Sequence, residues 1–354
     1  MQSMASRKSR VIPAVILIAC FIIVALAACW SIRSKFGRET SAYSSLAAHT
    51  DTRTVTAFGG ETVVGELTIR PLPEPAADGS LAYQVQGPQE AVLGTFNYIP
   101  WQGKNPLYLQ LSGGSIILGN NSIYTIRDHR LHSLTEFGAL GQVGDYSVDD
   151  NKLALIGKNE QQGDAEILIK DLETGSSTPV DSFKYPEYMG GQQVYLCWNA
   201  GKLYYDYWEG DKPEVKVYDP AANQSASFKE QAMGPQGSPD GRYLAIFALG
   251  SPSATTGNTM GLELLDLTNN RTIGLEGSNR VFWSPGYITV WDGDKLQLHI
   301  YDLSSGTKIK DLPADSPVAD LAIDNGVIKG NAYHFENKQI TRQQFQADIT
   351  AKIP

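Results

Sequence analysis

Two hydrophobic patterns divide the chain. Val11–Trp30 reads VIPAVILIACFIIVALAACW, a run of twenty residues without a charge. As a helix rising 1.5 Å per residue it reaches across roughly 30 Å of hydrocarbon, so a transmembrane helix is predicted over 11–30. Pro13 falls in its first turn, where a missing N–H costs little. From about residue 59 onward helical periodicity disappears. Short runs rich in Val, Ile, Leu, Tyr and Phe alternate with polar residues and are broken by Gly, Asn, Asp and Pro, the pattern of half-buried strands. Residues 31–58 are rich in Ser, Thr and Ala with little periodicity and read as a linker.

The arm before the apolar run, residues 1–10, carries Arg7, Lys8 and Arg10 and no acid, which predicts a cytoplasmic N-terminus. Arg33, Lys35 and Arg38 beyond the run blunt that asymmetry. The segment also has a second reading. Leu26-Ala27-Ala28-Cys29 resembles the lipobox of bacterial lipoprotein signals, which would make Cys29 a lipidated N-terminus. Leu17-Ile18-Ala19-Cys20 has the same form, but apolar residues continue after it. Signal anchor and lipoprotein both place the remaining domain, 59–354, outside the cytoplasm and tethered to a membrane.

The strand-rich part repeats. Hairpin turns recur near Gly114, Asn151, Gly201, Gly241, Gly286 and Gly326, spaced 37 to 50 residues apart. A second turn follows in each unit, near Asp128, Asp171, Asp219, Asp266, Asp302 and Asn337. Gly and Asn tolerate positive φ, and Asp and Ser side chains bond the turning backbone. A period in the forties with four strands per unit is that of a β-propeller blade. One such unit cannot bury both of its faces, so the units must stack around an axis. Thr62–Ile69 and Leu81–Phe96, either side of a Pro-rich break at Pro71–Pro75, form a seventh blade or supply outer strands to close the ring. The expected fold is therefore all-β, a propeller of six to seven four-stranded blades behind one N-terminal membrane or signal segment.

Ser238-Pro239-Asp240-Gly241 followed by Arg242-Tyr243-Leu244-Ala245-Ile246, and Trp283-Ser284-Pro285-Gly286 before Tyr287-Ile288, resemble the Trp-Ser-Pro-Asp-Gly repeat of TolB-like propellers. The second copy lacks the Asp. The resemblance covers about residues 100–340 in rhythm and two copies in motif. It implies the fold; function differs widely among proteins sharing it.

Charge then narrows the classes. Beyond residue 30 the chain holds 38 acids and 26 bases, the other three bases being Arg7, Lys8 and Arg10, for a formal charge of −12. That gives no electrostatic case for nucleic acid. One thiol, Cys197, lies beyond residue 30, so an intrachain disulfide there is impossible and burial must hold the fold. Its apolar neighbours Leu196 and Trp198 make it a buried small hydrophobe. No Gly-x-Ser-x-Gly elbow, His-Glu-x-x-His pair or phosphate-binding glycine loop occurs. His129 and His132 bracket a turn with Arg130 between them, an arrangement that opposes a cation. Asp292-Gly293-Asp294 and Asp149-Asp150-Asn151 read as hairpin corners rather than calcium loops. No cofactor, metal or catalytic residue is assigned.

The aromatics carry the remaining interest. Trp101, Trp198 and Trp283 fall near the start of units, at or close to the innermost strand. They are candidates for a platform at the channel mouth, set against the plainer role of filling the wedge between blades. The expectation is a membrane-tethered extracytoplasmic propeller that binds or scaffolds a protein or polymer partner of the cell envelope. The alternative is a propeller hydrolase, lyase or dehydrogenase acting on a saccharide or peptide at the central channel, its groups drawn from several blades. A third expectation is a sensor subunit that signals through its membrane helix.

Overall fold

The computed structural model describes residues 56–350 except 58–60, 65, 76–79, 99–106, 112–113, 120–121, 135–141, 150, 160–162, 173, 175, 185–193, 252–259, 278–279 and 337–338. The predicted membrane run, Cys29 and Trp101 lie outside the described residues. Among those residues no helix is long and apolar enough to cross a membrane.

Seven antiparallel sheets follow one another along the chain, and each is a blade. Blade 1 comprises Thr62–Val64, Leu67–Pro75, Leu81–Gln86 and Val92–Tyr98; blade 2 comprises Leu107–Leu111, Gly114–Gly119, Ser122–Arg127 and Arg130–Leu134. Blade 3 runs through Gln142–Asp149, Lys152–Lys158, Asp164–Asp171 and Ser177–Lys184; blade 4 through Leu196–Asn199, Lys202–Glu209, Lys212–Asp219 and Gln224–Glu230. Blade 5 is Ala232–Gly237, Tyr243–Leu249, Met260–Asp266 and Arg271–Leu275; blade 6 is Arg280–Ser284, Tyr287–Asp292, Gln297–Asp302 and Lys308–Pro313. Blade 7 has three described strands, Val318–Asp324, Val327–Glu336 and Gln339–Asp348. Thr56–Ala57 adds a short fifth strand to blade 2, pairing with the free edge of its first strand.

First strands of successive blades touch one another, in the pairs of blades 3 and 4, 4 and 5, and 6 and 7, and so mark the axis. Fourth strands are largely exposed, as in Gln224–Glu230. The core is a series of seams rather than one centre. Ile156, Ile167 and Phe183 of blade 3 pack on Leu196, Leu203 and Tyr205 of blade 4. Tyr204 and Val215 then pack on Leu244 and Ile246 of blade 5, and Leu262 and Leu264 on Ile288 and Val290 of blade 6. Burying one such side chain stabilises by about 1.5–3 kcal/mol, and alternation along each strand supplies an apolar set to both seams.

The ring closes where the third strand of blade 7 meets the second strand of blade 1. Apart from Thr56–Ala57, which reaches past blade 1 to pair with blade 2, each blade is built from one contiguous stretch, and no strand is exchanged between the two ends among the described residues. This decides between the two roles open to residues 60–97: they are a seventh blade. Three details differ from expectation. The prolines of Pro71–Pro75 do not break the chain but end a strand, with a register shift across them, since proline is tolerated at a bulge. Leu81–Phe96 is two strands parted by a single 3-10 turn, Pro88–Glu90. The second turn of blade 7 is not the one near Asn337, which follows a second strand; the equivalent corner is Asp348, at the end of the third strand.

Candidate functional site

In every blade but the second, where Thr56–Ala57 pairs beyond it, the first strand is the inner edge of its sheet, and its outward N–H groups need acceptors. Side chains of neighbouring strands provide them. Asp145 and Ser147 of blade 3 accept the Leu196 and Trp198 N–H groups of blade 4 at 2.9 and 3.0 Å. Ser284 of blade 6 accepts the Ile323 N–H of blade 7 at 2.9 Å. Asp206 of blade 4 accepts the Gly234 N–H of blade 5 at 2.7 Å through one oxygen and its own blade's Tyr195 N–H at 2.9 Å through the other. Gly234 lies in a bulge of its strand at φ 69°, a conformation that costs glycine little.

Two buried acids meet in this inner wall. Asp206 is 1% exposed and Asp145 9%, and they hold the consecutive amides of Tyr195 and Leu196. Burial pushes the Asp206 carboxyl up to about 7; its two N–H partners pull it down and nearby Asp145 raises it further. Burial, then the charges of Asp145 and Asp206, push the Tyr195 phenol up to about 12, and burial with Asp145 raises that of Tyr146. Chemically this is a site whose carboxylates accept hydrogen bonds from backbone amides of two blades.

A second polar cluster sits in blade 6. Buried His299 faces Asp311 through Nδ1 at 2.6 Å and Asp292 through Nε2 at 3.3 Å. Lys308 joins Asp311 to Glu276 at 3.1 and 3.0 Å, and Lys295 joins Glu276 to Asp292 at 3.4 and 3.5 Å. These contacts close a loop of charges that fastens Glu276, on the connection from blade 5, to three strands of blade 6. Burial raises the Asp292 and Asp311 carboxyls, but the Lys295 backbone N–H, His299 and Lys308 outweigh it and leave both below the usual range. Lys308 holds Glu276 low as well.

The predicted aromatics separate by role. Trp198 is 9% exposed and belongs to the seam of blades 3 and 4, where its indole nitrogen is buried without a hydrogen-bond partner. Trp283 is half-buried against the seam of blades 5 and 6. Both are on first strands, and the structure brings them to different seams. Cys197 is buried beside Tyr204. His129 and His132 are exposed at the outer hairpin of blade 2. Asp292 accepts the Asp294 and Lys295 N–H groups, as a hairpin corner does. Among the described residues no group of three or more His, Cys, Asp or Glu is placed to hold a metal ion.

Sequence reasoning missed Asp145, Asp206 and His299. The available signal was an ionisable residue inside an apolar strand, as in Leu203-Tyr-Tyr-Asp-Tyr-Trp208 and Leu298-His-Ile300; burial of such groups demands partners.

No protein-family model matches the chain, and no curated protein does either. Solved structures do. TolB from Acinetobacter baumannii is 12% identical at a TM-score of 0.40, with 80% of each chain covered. The β-propeller domain of the Trilobed protease from Pyrococcus furiosus is 13% identical at 0.40, over 78% of this chain and 81% of that one. A chain of the Mitotic Checkpoint Complex is 14% identical at 0.45, over 83% and 93%. The seven-blade architecture rests on the strand pairings above.

Proposed function

We propose that this chain is a membrane-tethered, extracytoplasmic propeller that binds or scaffolds a protein or polymer partner at the cell envelope. The observation that carries the reading is how the ring uses its buried polar groups. Asp145, Ser147, Asp206 and Ser284 each hold an inner-strand N–H, so they serve cohesion between blades. Such a ring is pre-organised, and a rigid surface loses little entropy on docking. The charge-free run 11–30 supports the tether.

A second reading has one observation in its favour. A carboxyl that titrates near 7 beside another acid is the usual equipment of general acid–base catalysis, which keeps an enzyme acting on a saccharide or peptide in view. Crosslinking of intact envelopes and capture of the full-length chain separates the two. A specific partner, absent when the chain is deleted, is expected. Recovery of none across growth conditions, with turnover of an envelope glycan or peptide lost on Asp206→Asn, would replace the scaffold with the enzyme.

A further inference from the structure

We propose that His299 is held as the imidazolium, the third cation of the charge loop in blade 6, and that its proton keeps the connection from blade 5 fastened there. His299 is 1% exposed, and each of its ring nitrogens faces a carboxylate oxygen, Nδ1 that of Asp311 at 2.6 Å and Nε2 that of Asp292 at 3.3 Å. The two acids stand on different strands, Asp292 at the end of the second and Asp311 in the fourth. A neutral imidazole has one N–H and one bare nitrogen. Whichever nitrogen were bare, its lone pair would be aimed at a carboxylate oxygen inside the protein, which burial makes costly. The imidazolium donates to both acids.

The only other place for that proton is one of the acids, and their partners oppose it. Asp292 accepts the Asp294 and Lys295 N–H groups through one oxygen and has the Lys295 ammonium 3.5 Å from the other. Asp311 has the Lys308 ammonium at 3.1 Å on the oxygen that His299 leaves open. Burial raises both carboxyls, but these donors together with His299 outweigh it and leave both below the usual range. The remaining neighbours come from other elements. The connection from blade 5 brings Glu276, bound to Lys308 at 3.0 Å and Lys295 at 3.4 Å, with its N–H on the Tyr301 hydroxyl. The facing wall of blade 5 is Leu262, Leu264 and Leu275, with Tyr243, whose hydroxyl donates to the Leu303 carbonyl. Arg280 of the first strand lies over Phe282, in the seam toward blade 7. Residues 252–259 and 278–279 contain no ionisable side chain. Three carboxylates, Asp292, Asp311 and Glu276, thus meet two ammoniums, Lys295 and Lys308, and a protonated His299 balances the loop.

Loss of that proton to water leaves two ammoniums to serve three carboxylates. The Asp292 side chain is 6% exposed and that of Glu276 50%. The ammoniums therefore stay with the buried acid, and Glu276 is the one that water takes back. Its release frees the connection. The contacts hold on the acid side of the proton loss and are given up as pH rises through it. In strong acid they last until the lowered Asp292 and Asp311 carboxylates are themselves protonated. This device does not depend on what the protein binds.

The test uses the full chain in detergent or nanodiscs with nitrogen-15 histidine. Changing His49, His129, His132 and His334 to Gln leaves His299 as the only imidazole. At pH 7 both of its nitrogens should resonate as N–H, and one protonated with one bare nitrogen would overturn the proposal. Raising the pH until the second proton leaves should speed exchange of the Glu276 amide by about tenfold or more, after correction for the intrinsic pH dependence, while the Ile156 amide of blade 3 keeps its rate. Proton loss without that change at Glu276 would refute the coupling. His299→Gln should exchange fast at Glu276 at every pH, and a slow amide there would refute it equally. Should that variant not fold, the single-histidine chain decides.

Discussion

Gly277 shows how tightly single positions are set. It lies on the connection into blade 6 at φ 112°, and a Cβ there would stand 2.5 Å from Val290 Cγ1 and 3.6 Å from the His299 ring. Val290 is fully buried, so it has nowhere to retreat. Gly277→Ala is expected to destabilise by about 1–3 kcal/mol, through overpacking and backbone strain together. Urea unfolding would show it as a lower midpoint at unchanged slope. A neutral result would mean that the connection moves freely over blade 6, in conflict with the Lys295–Glu276–Lys308 contacts that fasten it. Nothing local in the sequence shows what Gly277 faces. Val290 and His299 are thirteen and twenty-two positions away, on two strands that only the folded blade sets side by side.

Elements are legible where one residue decides one turn. The outer hairpins carry aspartates whose side chains bind the backbone ahead of them: Asp171 takes the Thr174 N–H, Asp219 that of Ala221, Asp266 that of Thr268 and Asp302 that of Ser305. Asp348 takes the Thr350 N–H in the same way. Such bonds are local, so spacing along the chain reveals them, and the blade rhythm could be read from them. Blade 7 departs from that rhythm because its second and third strands, Val327–Glu336 and Gln339–Asp348, are also joined by a short polar stretch of sequence, and only strand pairing distinguishes that junction from the corner at Asp348. Removing one corner tests the mechanism. Asp302 also accepts both serine hydroxyls of Ser304 and Ser305, and these contacts hold its carboxyl below the ordinary value. Asp302→Ala should cost roughly 1–2 kcal/mol near neutral pH. A lowered carboxyl stabilises above its unfolded value and loses that contribution as pH falls through the native one. The gap between variant and wild type should therefore narrow below about pH 4, and a gap constant to about pH 2 would assign the loss to packing instead.

At the scale of the whole ring, what the sequence hid is what joins the blades. Asp145 and Leu196 are 51 residues apart, as are Ser147 and Trp198, and Asp206 lies 28 from Gly234. No local pattern announces a bond across such distances, and Asp206 is further masked by the aromatic run around it. Yet these bonds tie blade 3 to 4, 4 to 5 and 6 to 7, where the first strand would otherwise offer unpaired N–H groups to the axis. The consequence is measurable by amide hydrogen exchange on the full chain. Edge-strand amides normally exchange by small local openings. The N–H groups of Leu196, Trp198, Gly234 and Ile323 should instead exchange as slowly as the ladder amides of the buried second strands, since releasing one means parting two blades. Ser147→Ala should speed exchange at Trp198 by roughly tenfold, the equivalent of one lost net hydrogen bond, while leaving Ile323 unchanged. Fast exchange at all four amides in the wild type would mean that blade-to-blade bonding contributes little, and that apolar packing in the seams alone keeps the ring closed.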